Sequence, residues 1–263
     1  MFQGAVFFDY DGTLTEEDRK IYRPTPKTVA AAKELQQKGY LVGLATGRSK
    51  CYVPEVGIDF DCYITTNGAY ANYLGEEIWN DTFTPAQVKR FLDFLAVHGI
   101  NYILENQEAC YCRDREEKTL VDMIETFQLP PECFRPISDM EQLQINKIVL
   151  TYDSLEKLKL IQEEFGGEYE ITPHRTCYSC DVARKGITKA VGIAKVLERL
   201  QIPCENTYAF GDGDNDIDMF RLVGTAIAMK DHAESLDSVA AHVTGNVEDE
   251  GIYYGLKHFG LID

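Results

Sequence analysis

Asp9 and Asp11 stand two residues apart in DYDGTL, at 9–14, directly after the apolar run Ala5, Val6, Phe7, Phe8. A buried strand of this kind delivers both carboxylates to a glycine-containing turn at its C-terminal end. In open parallel α/β sheets, ligands bind in the crevice outside the carboxyl ends of the strands. Two carboxylates placed there suit a hard cation or covalent chemistry. Three further segments are built the same way. LVGLATGR, at 41–48, is an apolar run that breaks into a hydroxyl residue, a glycine and an arginine, which reads as an anion-binding turn. RKGIT, at 184–188, sets Lys185 ahead of an amphipathic stretch from about Ile187 to Leu200. YAFGDGDND, at 208–216, is an apolar run ending in Asp212, Asp214 and Asp216 around Gly211 and Gly213. Each segment alone is ordinary turn chemistry. Their order, and their shared placement at strand ends or a helix start, point to one site.

In chain order the four segments resemble the motifs of the haloacid dehalogenase (HAD) superfamily of phosphatases: DxDGT, a strand-end Ser or Thr, a Lys, and an acidic GDxxND. The pieces ATGR, TNGA at 66–69, KG at 185–186 and GDGDND at 211–216 resemble the Cof-type branch, subclass IIB. In that branch a C2-type cap domain is inserted between the second and third motifs. The resemblance implies that Asp9 is the nucleophile of an aspartyl-phosphate mechanism and that Asp11 is its general acid and base. It implies Mg2+ held by the Asp9 carboxylate, the Asp11 backbone carbonyl and the Asp212 carboxylate, with Asp216 close by. Thr46, the Gly47 backbone N–H, Lys185 and Asn215 would hold the phosphoryl oxygens, and Lys185 would also offset the charge on Asp9.

The elements that must position these residues alternate in type. Apolar strands are expected at 5–8, 41–45 and 62–65, and a helix at 26–37 with Pro24 and Pro26 at its entry and Gly39 after its end. After about Lys185 the alternation resumes: a helix, a strand at 207–210, a helix through Met219, a strand at 226–229, and helices near 234–239 and 251–258. The βα alternation predicts a doubly wound, Rossmann-like parallel-sheet core in two pieces, 1–82 and 183–263. The segment 83–182 has its own helices at 85–97, 116–127 and 155–165 and strand-like runs at 145–152, 168–171 and 177–182. It reads as an inserted α+β cap with an open antiparallel sheet. The crossings between the pieces are short and suit hinges.

Composition narrows the function classes. The chain of 263 residues, 44% apolar, can bury a substantial core. Its formal net charge of -17 argues against a nucleic-acid surface, which needs clustered Lys and Arg. A phosphate substrate must then be attracted locally, by the metal and a few cationic groups. Residues 1–13 carry no basic segment followed by a long apolar run, so neither a secretory signal nor a membrane span is expected, and a cytoplasmic protein with reduced thiols is.

Other residues carry less chemistry. Asp214 reads as a solvated turn residue. Arg48 and Asn67 sit at strand ends that face the same edge, and each could touch substrate or bridge core to cap, with a structural salt bridge or turn as the other reading. In the cap, Arg113, Arg115, His174 and Arg175 could read the leaving group, although a solvated surface is the default for each. Cys110, Cys112, Cys177 and Cys180 could supply a four-thiolate zinc set. An x-spaced pair on a strand shares a face while a three-residue offset does not, so half-buried thiols are the better reading. His98, His232, His242 and His258 show no ligand spacing.

The resulting expectation is a Mg2+-dependent phosphatase acting on small phosphomonoesters, sugar phosphates by family resemblance. Two alternatives stand beside it. A phosphomutase or phosphotransferase would pass the same aspartyl-phosphate to a second hydroxyl. A phosphometabolite-binding protein would keep the fold without turnover, but no catalytic position is substituted. The physiological substrate and the oligomeric state are not legible in the sequence.

Overall fold

A computed structural model of the chain describes residues 2–137, 142–174 and 177–263. The chain divides into two compact units. The first comprises Met1–Arg48, Pro54–Asn80 and Thr188–Asp263, and the second Ser49–Val53 and Asp81–Ile187.

The first unit is built on a sheet whose strands are β1 (Gly4–Phe8), β2 (Tyr40–Ala45), β3 (Cys62–Thr65), β4 (Tyr70–Tyr73), β5 (Glu76–Asn80), β12 (Thr207–Gly211), β13 (Thr225–Ala228) and β14 (His242–Val243). Their spatial order is β14-β13-β12-β1-β2-β3-β4-β5. The six strands from β14 to β3 run parallel, and β4 and β5 add an antiparallel edge. Every residue of β1 is buried, as a strand covered on both faces requires. Phe7 packs with Ile193 and Val196 of α5 (Lys189–Leu200) and Met219 of α6 (Ile217–Leu222). Phe8 points the other way and stacks on Phe210, with ring centroids 5.3 Å apart. Phe210 in turn backs Gly255 of α7 (Gly251–His258), where an added methyl would come within 2.7 Å of its ring. Strand alternation therefore sends Asp9, two residues after Phe7, toward α5. Helix α1 (Pro26–Gln37) starts with Thr25 accepting from the Thr28 N–H and with Pro at its first position, and it packs on β2.

The second unit holds α2 (Pro85–His98), β6 (Asn101–Glu105), β7 (Cys110–Cys112), α3 (Lys118–Thr126), β8 (Phe134–Arg135), β9 (Lys147–Thr151), α4 (Leu155–Phe165), β10 (Tyr169–Pro173) and β11 (Ser179–Arg184). The sheet order is β10-β11-β9-β6-β7-β8, antiparallel except for the β7–β8 pair. One face carries Leu104, Ile148, Leu150, Cys180 and Val182 against Phe91 and Phe165 of α2 and α4. The other carries Ile103, Cys110 and Val149 against Leu120 and Met123 of α3 and Tyr52.

Several elements differ from the sequence expectations. The boundaries fall at Asp81 and Ile187, because β11 stays paired with β9 and β10 as far as Val182 and Arg184. The β4–β5 hairpin was not expected, since its strands are rich in polar residues. It closes on Leu74 and Gly75, both at positive φ, the pairing that matches the right-handed twist of a two-residue hairpin. The helix expected at 234–239 is a single 3-10 turn, Glu234–Leu236. Among the described residues no helix is long and apolar enough to cross a membrane.

Candidate active site

Four elements converge beyond the C-terminal ends of β1, β2 and β12. Asp9 follows β1 and extends its ladder, its N–H donating to the Phe210 carbonyl at 3.0 Å. Lys189, the first residue of α5, is fully buried and reaches two carboxylates, Asp9 Oδ1 at 2.6 Å and Asp216 Oδ1 at 2.7 Å. The second oxygen of Asp216 accepts from the Asp212 and Gly213 backbone N–H groups at 2.9 and 3.0 Å, which folds the GDGDND loop around it. Thr13 donates its hydroxyl to Asp212 Oδ1 at 2.8 Å. Gly12, at φ +81°, lets Asp212 approach: a methyl there would lie 2.1 Å from Asp212 Oδ2. The DYDGT turn and the acidic loop are thus held together by Thr13, Gly12 and Lys189.

The site carries too much negative charge for one ammonium. Burial raises Asp9 well above the usual carboxylate range; Lys189 pulls it down, and Asp216 and Asp212 push it up further. Burial and Asp216 push Asp212 up to about 7. For Lys189, burial lowers the pKa, but Asp216 and Asp9 more than offset this and hold it above the ordinary lysine value. One oxygen from each of Asp9, Asp212 and Asp216 lies within 4.8 Å of the others, a donor set of hard oxygens for a divalent cation. A second positive charge would relieve the repulsion that raises Asp9 and Asp212.

The lysine is where the structure departs from the sequence reading. Lys185, expected at Asp9, belongs to the second unit and donates to the Gly167 carbonyl at 3.0 Å. It follows the end of β11, and Gly186, at φ +80°, lies between it and the start of α5. The role expected of Lys185 as partner of Asp9 is filled by Lys189. Thr188 in front of a buried helix start was the available signal for Lys189.

The Asp11 side chain is 48% exposed. Arg48 clasps its carboxylate, with Nη2 2.6 Å from Oδ1 and Nε 3.0 Å from Oδ2, and also reaches Glu17 Oε1 at 2.9 Å. The guanidinium lies over the Tyr10 ring, 4.8 Å from its centroid. Arg48 is therefore engaged with carboxylates in this arrangement. Thr46 is buried, and its hydroxyl accepts from the Arg48 N–H at 3.1 Å. Gly47 backs onto the Asn67 side-chain amide, whose Oδ1 would lie 3.0 Å from an added methyl. Asn67 in turn accepts from Asn215 Nδ2 at 3.2 Å. Asp214, exposed, accepts from the Ser235 hydroxyl at 2.7 Å. The structure brings Asp9, Asp212 and Asp216 together. It adds Lys189, Thr13 and Glu17, which sequence reasoning did not select.

In the second unit, His174 bonds Asp181 at 3.2 Å and Ser179 at 2.6 Å, while Arg113 and Arg115 are exposed and Arg175 lies outside the described residues. The four cysteines do not form one set: Cys110, Cys112 and Cys177 pack in or against one apolar cluster, on the face that carries Val149, and Cys180 lies in the other, beside Ile148. The Cys110 sulfur instead neighbours Cys51, at 3.9 Å. Among the other histidines, His232 bonds Asp237 and His242 stacks on His258.

A doubly wound α/β core with paired carboxylates and a buried lysine at its C-terminal edge defines a phosphatase-type hydrolase. Residues 6–256 match the family model described as haloacid dehalogenase-like hydrolase, and the chain belongs to this family. It is 32% identical over 98% of each chain to the Bacillus subtilis protein named "Putative phosphatase YkrA". It is 24% identical to YitU of Bacillus subtilis, a 5-amino-6-(5-phospho-D-ribitylamino)uracil phosphatase, over 97% of this chain and 96% of that one. The structure of the HAD subclass IIB sugar phosphatase BT4131 superposes with a TM-score of 0.82 at 27% identity, covering 98% of this chain and 100% of that one. The protein is a phosphatase of the HAD fold.

Proposed function

We propose that the protein is a Mg2+-dependent cytoplasmic phosphatase that hydrolyses small phosphomonoesters, sugar phosphates or closely related metabolites, through an aspartyl-phosphate at Asp9. The observation that carries this reading is the hold on Asp9: buried Lys189 takes Oδ1, so Oδ2 is the oxygen left to attack phosphorus. The Oδ2–P bond forms as the ester P–O bond breaks, and the departing alkoxide takes a proton from the Asp11 carboxyl. Asp11 must first exchange the Arg48 guanidinium for the leaving-group oxygen. In the second half, Asp11 removes a proton from water, the water oxygen bonds phosphorus, and Asp9 leaves as carboxylate.

The Asp9 and Asp212 carboxylates and the Asp11 backbone carbonyl would hold Mg2+, with Asp216 beside them. Bound there, the ion neutralises phosphoryl charge. Thr46, Gly47 and Asn215 would bind phosphoryl oxygens, and Lys189 would keep Asp9 ionised and oriented. The second unit would serve as the C2-type cap that selects the leaving group. The sugar phosphatase BT4131 and the ribitylamino-uracil phosphatase YitU support a phosphorylated sugar or ribityl compound as the substrate class.

The test is phosphate release from a panel of phosphorylated metabolites with Mg2+, including a labelled hexose 1-phosphate. Free phosphate is expected. Label appearing in a 6-phosphate would mean a mutase, and binding without release from any compound would mean a non-catalytic protein.

A further inference from the structure

Three consecutive residues after β3 adopt the left-handed conformation: Thr66 at φ 50°, Asn67 at φ 53° and Gly68 at φ 90°. Only the glycine does so without strain, and a β-branched Thr is a genuine outlier there. The strain is balanced by the contacts this turn makes with three parts of the site. The Thr66 N–H donates to the Arg48 carbonyl at 2.9 Å and the Asn67 N–H to the Thr46 carbonyl at 3.1 Å, so the turn braces the ATGR loop. Gly68 packs on the start of α5 so closely that a methyl would lie 2.0 Å from the Thr188 carbonyl oxygen, one residue before Lys189. The Asn67 side chain lies against Gly47 and accepts from Asn215.

We propose that Asn67 is a phosphate-binding residue of this site, its side-chain amide donating to a phosphoryl oxygen while its carbonyl oxygen fixes Asn215. The two amides together carry four N–H bonds. Their mutual hydrogen bond uses one of the four, whichever way the amides are turned. Three remain, and the Asn67 amide lies beside Gly47 at a half-exposed position that substrate can reach. The left-handed turn aims this donor set: extended backbone at Asn67 would break the bond from its N–H to the Thr46 carbonyl. Asn is among the few non-glycine residues that tolerate this conformation, and it also carries the amide.

The proposal rests on the phosphatase reading, and the experiment separates the two. Wild type, Asn67→Gly and Asn67→Asp are compared with p-nitrophenyl phosphate as substrate and inorganic phosphate as competitive inhibitor. Direct calorimetric binding of inorganic phosphate decides the matter even if the probe is not turned over. Glycine keeps the left-handed backbone and removes only the amide. Asn67→Gly is therefore expected to lower kcat/KM and to weaken phosphate binding by the same factor, about tenfold to a hundredfold, with no fall in thermal midpoint. Asn67→Asp keeps shape and backbone preference but opposes the phosphoryl dianion, so it should bind phosphate more weakly than the glycine variant. Wild-type phosphate binding in either variant overturns the proposal, as does a loss of kcat/KM with phosphate binding unchanged. A wild type that releases no phosphate from any ester overturns the phosphatase reading instead.

Discussion

Replacing Lys189 with methionine is the most direct test of how Asp9 is held. Methionine roughly fills the volume of the lysine stem but removes an ammonium that lies 2.6 and 2.7 Å from two buried carboxylates. Breaking a buried ion pair by removing one partner costs about 3–5 kcal/mol, because the other charge is left uncompensated. Here two carboxylates are stranded, so the upper end of that range is expected, against a total stability of roughly 5–15 kcal/mol. Asp9 also loses the contact that pulls its pKa down, and turnover should fall at least about a hundredfold, as when a preorganised charge is removed from an active site. The control is Lys185→Met, which loses a hydrogen bond to the Gly167 carbonyl at the surface of the second unit. Phosphate release with Mg2+ and urea unfolding of both variants are the assays. The expected outcome is a large loss of both in Lys189→Met and near wild-type values in Lys185→Met. Turnover that survives in Lys189→Met and disappears in Lys185→Met would refute the assignment.

Asp9→Asn should abolish turnover while folding normally, because the amide is nearly isosteric but a poor nucleophile and carries no buried charge; beryllium fluoride should bind at Asp9 in the wild type and not in this variant. Chelation should eliminate activity and Mg2+ restore it, with Asp212→Ala weakening Mg2+ binding measured by calorimetry and Asp214→Ala changing it little. Gly12→Ala should weaken Mg2+ binding and lower the thermal midpoint, since the added methyl would lie 2.1 Å from Asp212 Oδ2 at a φ of +81°; wild-type values would show that the DYDGT turn and the acidic loop are not in this register. In the second unit, burial works to raise Asp181, but Lys147 and His174 hold it below the usual carboxylate range. A depressed carboxylate contributes stability above its unfolded value of about 3.9 and loses it as pH falls from there toward the folded value. The urea midpoint of Asp181→Asn should therefore fall less than that of wild type between pH 5 and about pH 2; parallel curves would rule the contribution out. Glu105, raised by burial, works in the opposite sense and remains in both proteins.

The sequence alone determined the strand-end chemistry. GAVFF and YAFG are apolar runs whose only stable placement is the interior of a covered parallel sheet, and the residues after them must then emerge at its C-terminal edge. Asp9, Asp11, Asp212 and Asp216 are legible for that reason, since each is tied to its strand by a few residues of turn. Much of the second unit's helical pattern is also local, and α2, α3 and α4 lie within a few residues of the predicted spans. What only the tertiary structure decided depends on long-range pairing. Lys185 and Lys189 are one helical turn apart in sequence, and the choice between them turns on where β11 stops pairing with β10 and where α5 starts, which is set by partners far along the chain. Ser49–Val53 is likewise assigned to the second unit by contacts such as the Tyr52 hydroxyl donating to Glu105 at 2.8 Å, 53 residues away. In the left-handed turn at 66–68, Asn67 and Gly68 suit the conformation but Thr66 has no propensity for it. The turn exists because carbonyls of the neighbouring loop and the backbone of α5 hold it there, and contacts of that range leave no periodicity to read.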